Sequence, residues 1–169
     1  MQIMVNKTKI RKTRKEDVEK LWPLEVESRK WHKKITDKRY ALLNKSSVDV
    51  KAQREFIRYT KEDVKDKKSL LLIPVIDGQI VGHILVRFHK WKWSDKPFLI
   101  AKIGDLTVLK KFGRKGIASM LIKEAEKIAK KRGAKYFYVG VWTSNKSARK
   151  LYEKNKFGDF HREMFKRLK

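Results

Sequence analysis

Residues 98–141 read FLIAKIGDLTVLKKFGRKGIASMLIKEAEKIAKKRGAKYFYVGV. The run Phe98–Val108 has strand character, and the Gly113-Arg114-Lys115-Gly116 segment after it frees the backbone to turn sharply. From Ile117 the period becomes that of an amphipathic helix. Ile117, Leu121 and Ile128 share a face with Met120, Ala125 and Ala129, while Lys123, Glu124, Lys127 and Lys131 lie opposite. Gly133 is placed to end the helix, and Tyr136–Val141 reads as another strand. A strand, a tight turn, a helix and a strand make a parallel crossover, right-handed by the usual rule, within an otherwise antiparallel sheet.

The turn carries chemistry. A helix that starts near Gly116 presents its first N–H groups at the end of a strand, where they carry partial positive charge and suit a phosphate or diphosphate. Lys110, Lys111, Arg114 and Lys115 crowd the same place. Neither the G-x-x-x-x-G-K-[ST] loop nor the G-x-G-x-x-G fingerprint is present.

Working outward, Leu70–Ile76, Asp77-Gly78 and Ile80–Phe88 form a β-hairpin signal, in which Gly82 marks a bulge or a close backbone approach. Lys90–Lys96 then connects to the strand at Phe98. Upstream, Lys9–Thr13 reads as a short strand, and Asp17 begins a helical pattern that Pro23 interrupts. Residues 24–36 read as helix, and Ser47 is a candidate cap for a further helix running to about Val64. Downstream, Asn145–Asn155 reads as helix, and a final strand is expected after it.

Composition bounds the rest. The 169 residues suit a single domain spanning 1–169. Forty-five Lys+Arg against 19 Asp+Glu give a formal charge of +26, so anionic partners are expected. Without cysteine there are no disulfides, thiolate metal sites or Cys nucleophile, and the four histidines lack metal-ligand spacing, so no metal is expected. The N-terminus has no apolar leader and no apolar run is long enough to span a bilayer, which gives a cytoplasmic expectation with no membrane partner.

Several motifs together are similar to one family. Asp105-Leu106-Thr107-Val108, then Phe112-Gly113-Arg114-Lys115-Gly116-Ile117-Ala118, then Val139-Gly140-Val141 with Asn145, Ala148, Leu151-Tyr152-Glu153-Lys154 and Phe157 resemble the GCN5-related N-acetyltransferase (GNAT) superfamily. The Asp77–Gly82 hairpin resembles the family's second and third strands, and Ile10–Thr13 with Asp17 its opening strand and helix. The resemblance covers nearly the whole chain. It implies an α/β (α+β) fold, a mixed, mostly antiparallel sheet of six to seven strands flanked by about four helices. It also implies acetyl-CoA as co-substrate and direct transfer of its acetyl group to a primary amine.

By this resemblance, backbone groups of Leu106, Thr107 and Val108 hold the acetyl carbonyl, and Gly113, Arg114, Lys115, Gly116, Ile117 and Ala118 hold the diphosphate. Asn145 contacts the CoA, and Tyr152 both contacts it and supplies a proton to the departing thiolate. Three departures stand out: Arg114 falls one place after the usual Gln/Arg, Lys110 replaces a proline, and Lys156 replaces the glycine before Phe157. Some relatives carry a glutamate at the position of Lys102. Asp105 is the nearest carboxylate and the candidate base, but strand alternation puts it on the face opposite Leu106 and Val108 unless a bulge resets the parity. Asn145 also reads as an N-cap, Tyr152 as a core aromatic, and His83 and His161 as ordinary residues.

Two other functions compete. Phe88-His89-Lys90-Trp91-Lys92-Trp93 interleaves aromatic and basic residues as a single-stranded nucleic-acid site does, with His89, Trp91 and Trp93 on one strand face. The alternative for that hairpin is packing on the protein body or on a second subunit, as monomer or homodimer. The other competitor is a GNAT-fold protein that binds CoA and acetylates nothing. The acceptor amine has no readable signature.

Overall fold

The computed structural model describes residues 8–43, 47–166 and 168. Strands are β1 (Lys9–Lys12), β2 (Ser69–Ile76), β3 (Gln79–Ile80), β4 (Gly82–Trp91), β5 (Phe98–Val108) and β6 (Tyr136–Val139). Four α-helices accompany them among the described residues: α1 (Trp22–Ile35), α2 (Val50–Lys65), α3 (Ile117–Lys131) and α4 (Lys146–Lys154). Short 3-10 segments occupy Lys15–Leu21, Lys38–Leu43 and Lys110–Phe112. The sheet order is β1-β2-β4-β5-β6, with β3 beside β2; every pairing is antiparallel except β5 with β6. This is the mixed α/β architecture that the motif order implies. Among the described residues no helix is long and apolar enough to cross a membrane.

Period-two alternation assigns the two faces of the sheet. Ile84, Val86 and Phe88 of β4 and Ala101 and Ile103 of β5 pack against Leu121, Ile122, Ala125 and Ala129 of α3 and Tyr152 of α4. On the other face Leu71, Ile73 and Ile80 meet Leu21, with Phe56 and Val64 of α2 against them. Burying an aliphatic side chain of this size contributes about 1.5–3 kcal/mol, so these two layers fix which helix covers which half of the sheet.

Several local expectations are corrected. Pro23 does not interrupt a helix; it sits in the first turn of α1, where its missing N–H has no intrahelical acceptor to lose. The cap of α2 is Asp49, whose carboxylate accepts the Ala52 N–H at 2.8 Å, while Ser47 Oγ accepts the Asp49 N–H. Gly113 has φ −62°, open to any residue; the left-handed positions of the turn are Arg114 at φ +57° and Gly116 at φ +80°. No strand follows α4 among the described residues, and 155–166 runs without regular structure beyond its first turn. Gly82 is a close approach, since a Cβ there would lie 2.5 Å from the Thr107 carbonyl oxygen.

Candidate functional site

The site begins where two parallel strands part. β6 pairs with β5 only from Ile100 to Ile103, against Tyr136 to Val139. Immediately afterwards β5 bulges: Val86 pairs with Ile103 but Leu85 with Asp105, which leaves Gly104 unpartnered across β4. Beyond the bulge a wedge opens between residues 104–108 and the departing Gly140–Trp142 segment. The Leu109 N–H donates to the Val81 carbonyl at 2.9 Å. Alternation then turns the amide of Thr107 toward β4 and those of Leu106 and Val108 toward the open edge. Thr107 itself is buried and its backbone belongs to the β4 ladder; the amides of Leu106 and Val108 face the open edge, and that of Leu106 also acts on the neighbouring Asp105 carboxylate.

At the wedge mouth the chain passes through Lys110–Phe112 into the left-handed turn and α3. The first intrahelical bond, Met120 N–H to Gly116 O at 3.0 Å, leaves the amides of Ile117, Ala118 and Ser119 ahead of it. A Cβ on Gly116 would meet nothing within 4 Å, so the helix start opens onto free space. The amides there and the neighbouring cations fit a diphosphate. Lys111 and Lys115 flank the Phe112 ring at 5.1 and 5.4 Å. The Ile117 side chain is buried with Ile76 and Val81, so its contribution there is its amide alone.

Both ends of α4 are tied to this place. Asn145 is buried and caps the helix, its Oδ1 accepting the Ala148 N–H at 3.1 Å and the Ser147 hydroxyl at 3.0 Å. Asn155 Nδ2 donates to Ser119 Oγ at 3.0 Å, fixing α4 beside the first turn of α3. Tyr152 is 9% exposed and packs edge-on to Phe157. Burial, with a smaller effect from the Asp105 charge, pushes its phenol up to about 12, so it is fully protonated at neutral pH and available as a donor.

Asp105 does lie on the face opposite Leu106 and Val108, at the apex of the wedge. There its Oδ2 is 2.5 Å from His83 Nε2. The His83 side chain is 4% exposed and that of Asp105 34%, so one end of the pair is sealed and the other is open. Burial works against charge on both groups. For His83 the nearby Asp105 carboxylate outweighs it and holds the imidazole above its ordinary value, with Glu25 acting in the same sense. For Asp105 the imidazole outweighs it and, with the Leu106 amide and His32, holds the carboxyl below its ordinary value.

His83 Nδ1 is buried with no protein partner. Beside the ring is a cavity of about 40 Å³ lined by Leu21, Phe56, Thr60, Asp63, Leu71, Leu85 and the pair itself, with room for one or two waters. From the α1 side, Glu27 Oε1 accepts the Lys110 N–H at 2.6 Å, which docks that helix on the phosphate turn.

The structure brings Asp105 within electrostatic reach of Tyr152 and sets Leu106 and Val108 beside it on β5, while Gly116 and Ala118 begin α3 and Asn145 caps α4. Reading the sequence missed His83. Its only trace is register: the hairpin sets His83 opposite Thr107, two residues from Asp105, on the same face.

A profile of the acetyltransferase (GNAT) family matches residues 31–157. The chain belongs to that family. One relative of this GNAT chain, an N-alpha-acetyltransferase from Saccharolobus solfataricus, is 32% identical over 102 residues, 57% of this chain and 60% of that protein. A similar protein from Sulfurisphaera tokodaii is 30% identical over 99 residues, 55% of this chain and 59% of that protein, so the chain spans about three fifths of the length of these relatives. Among solved structures, a transcriptional regulator from Bacillus halodurans C-125 superposes with a TM-score of 0.73 at 21% identity, covering 95% of this chain and 99% of that one. AAC(6')-Iy in complex with a CoA-S-monomethyl-acetylneamine bisubstrate analog superposes at 0.69 with 16% identity, covering 96% and 98%.

Proposed function

We propose that this chain is a single acetyl-CoA-dependent N-acetyltransferase domain that acts on the α-amine of a peptide or protein N-terminus. The observation that carries this reading is the wedge itself. It has a helix start suited to a diphosphate at one end, two outward-facing strand amides along one wall, and a carboxylate–imidazole pair at its apex. The donor, when bound, supplies an acyl group activated as a thioester. The matching N-alpha-acetyltransferases supply the acceptor class.

Each residue has a role set by its position. The first-turn amides of α3, with Lys110, Lys111, Arg114 and Lys115, hold the diphosphate. The Leu106 and Val108 amides polarise the carbonyl oxygen and are already aimed before any ligand arrives. The open carboxylate of Asp105 receives the cationic amine. Its own basicity is low, but the pair titrates as a unit, and a proton accepted at the Asp105 carboxylate is held by the pair. Tyr152 donates its phenolic hydrogen to the departing sulfur. With no cysteine in the chain, the acetyl group passes directly to the amine.

The test combines thermal shift with acetyl-CoA and thiol release on a panel of N-terminal peptides. Stabilisation by acetyl-CoA together with turnover on unblocked peptides, and none on α-acetylated ones, is the expected result. Stabilisation without turnover on any amine would replace this reading by a catalytically silent CoA-binding protein. No stabilisation at all would remove the cofactor site.

A further inference from the structure

Helix α2 covers the sheet only as far as Arg87, whose guanidinium pairs with Asp63 near its end at 2.7 Å. Beyond that pair the same face of β4, β5 and β6 carries, among the described residues, rings and Lys102 around the buried Ile100, and its residues can be read from the register. His89 stands across from Ile100 and Trp91 from Phe98, while Ile100 neighbours Tyr136 and Lys102 neighbours Tyr138 on β6. The outcome is a three-strand platform of rings and cations.

The rings hold one another in place. Tyr138 lies edge-on to both His89 and Trp91, at 6.1 and 6.2 Å, and Phe160 from the segment after α4 lies edge-on to Trp91 at 6.2 Å. Lys102 Nζ sits 5.6 Å from the centre of the Tyr138 ring. Tyr136 and Phe160 remain 64% and 82% exposed, and Trp93, just past the end of β4, is 90% exposed. None of these groups takes part in the proposed acetyl transfer, which occupies the wedge beyond the bulge at Gly104.

We propose that this platform binds single-stranded nucleic acid. Bases stack on the rings of β4 and β6, and phosphates meet Lys102 on the same face and Lys92 just past the end of β4. Tyr138 of β6 reaches across β5 to edge contact with His89 and Trp91 of β4, so the three rings form one continuous surface. Sheets with exposed aromatics on neighbouring strands seat two or three unpaired bases in this way. A double helix cannot use such a face because its bases are stacked inward.

Charge selects the occupant. With a formal charge of +26 on each chain, a second copy is repelled and a polyanion attracted.

The experiment is fluorescence anisotropy with a labelled ten-nucleotide single-stranded RNA of mixed sequence, at 50 and 200 mM KCl, using the full chain. Two phosphate contacts predict a loss of roughly 7-fold in affinity between those salts. Trp91→Ala is expected to weaken binding at least tenfold at constant charge. Trp93→Ala and Tyr136→Ala remove exposed rings without disturbing the core, and each is expected to weaken it several-fold with an unchanged melting temperature. A hairpin duplex of equal length is expected to bind at least tenfold more weakly.

Equal binding by the three ring variants, equal binding of the duplex, or equal competition by polyglutamate would reduce the interaction to net charge and overturn the proposal. So would a sedimentation result in which the wild type is a dimer, Trp91→Ala is a monomer, and RNA affinity does not change.

Discussion

Replacing His83 by glutamine isolates the apex of the wedge. The glutamine amide nitrogen can stand where Nε2 stands and still donate to Asp105, but it cannot hold a proton at neutral pH. Two unit charges about 4 Å apart attract by about 4 kcal/mol at an effective dielectric of roughly 20. The Asp105 side chain is 34% exposed, and solvent screening at that end reduces the figure to about 2 kcal/mol. Because the imidazole is raised in the folded protein, the acidic limb of kcat in the wild type is expected above about pH 6.5. In the variant it should move to lower pH, with kcat at pH 7 reduced about ten- to a hundredfold.

Stability gives an independent readout. His83 is raised, so its contribution is complete below about pH 6.5 and disappears as pH climbs through its higher folded value. Asp105 is lowered, so its contribution is complete above about pH 4 and disappears as pH falls through its own lower folded value. The melting-temperature gap between wild type and variant should therefore be widest between about pH 4 and 6.5 and narrow toward pH 9. The assay is thiol release at saturating peptide and acetyl-CoA from pH 5 to 9, beside calorimetric melts over the same range. An unmoved acidic limb in a folded variant would refute the assignment of the proton to the His83–Asp105 pair.

Three further predictions follow from single positions. Gly116→Ala should cost about 1–2 kcal/mol, because φ there is +80° and nothing crowds the new Cβ; acetyl-CoA should still stabilise it. Gly116→Glu adds a carboxylate to the helix start and should weaken acetyl-CoA at least tenfold by calorimetric titration, and normal binding would misplace the diphosphate. Gly82→Ala drives a methyl to 2.5 Å from the Thr107 carbonyl, a clash worth about 1–3 kcal/mol; a melting temperature within 1 °C of wild type, well under the roughly 2–4 °C expected per kcal/mol, would show that β4 and β5 are not that close. Tyr152→Phe keeps the ring against Phe157 and should leave the melt unchanged while lowering kcat about tenfold or more at constant KM; an unchanged kcat would make Tyr152 a packing residue.

The crossover at residues 98–141, the hairpin at Asp77-Gly78 and the helix start at Gly116 were legible because each rests on local chemistry. They depend on period, on positive φ, and on orphan amides at a helix end. The same signals misled where two neighbours had equal claims: Ser47 stands two residues from the true cap Asp49, and Gly113 stands next to Arg114, which takes the left-handed conformation instead. Sequence thus determined the family-like motif order, the anion-suited helix start and the identity of Asp105 and Tyr152 as candidates.

What only the tertiary structure decided was which groups meet. A one-residue bulge at Gly104 puts Leu106 and Val108 on the same sheet face as Ala101 and Ile103, and leaves Asp105 on the other face. There the partner strand, 22 positions earlier in the chain, delivers His83 to its carboxylate. The ring platform at Trp91 and Tyr138 likewise depends on where α2 ends over the sheet. Strand register and helix coverage are products of global packing, in which a shift of one residue exchanges the two faces, so no local pattern in the chain could have fixed them.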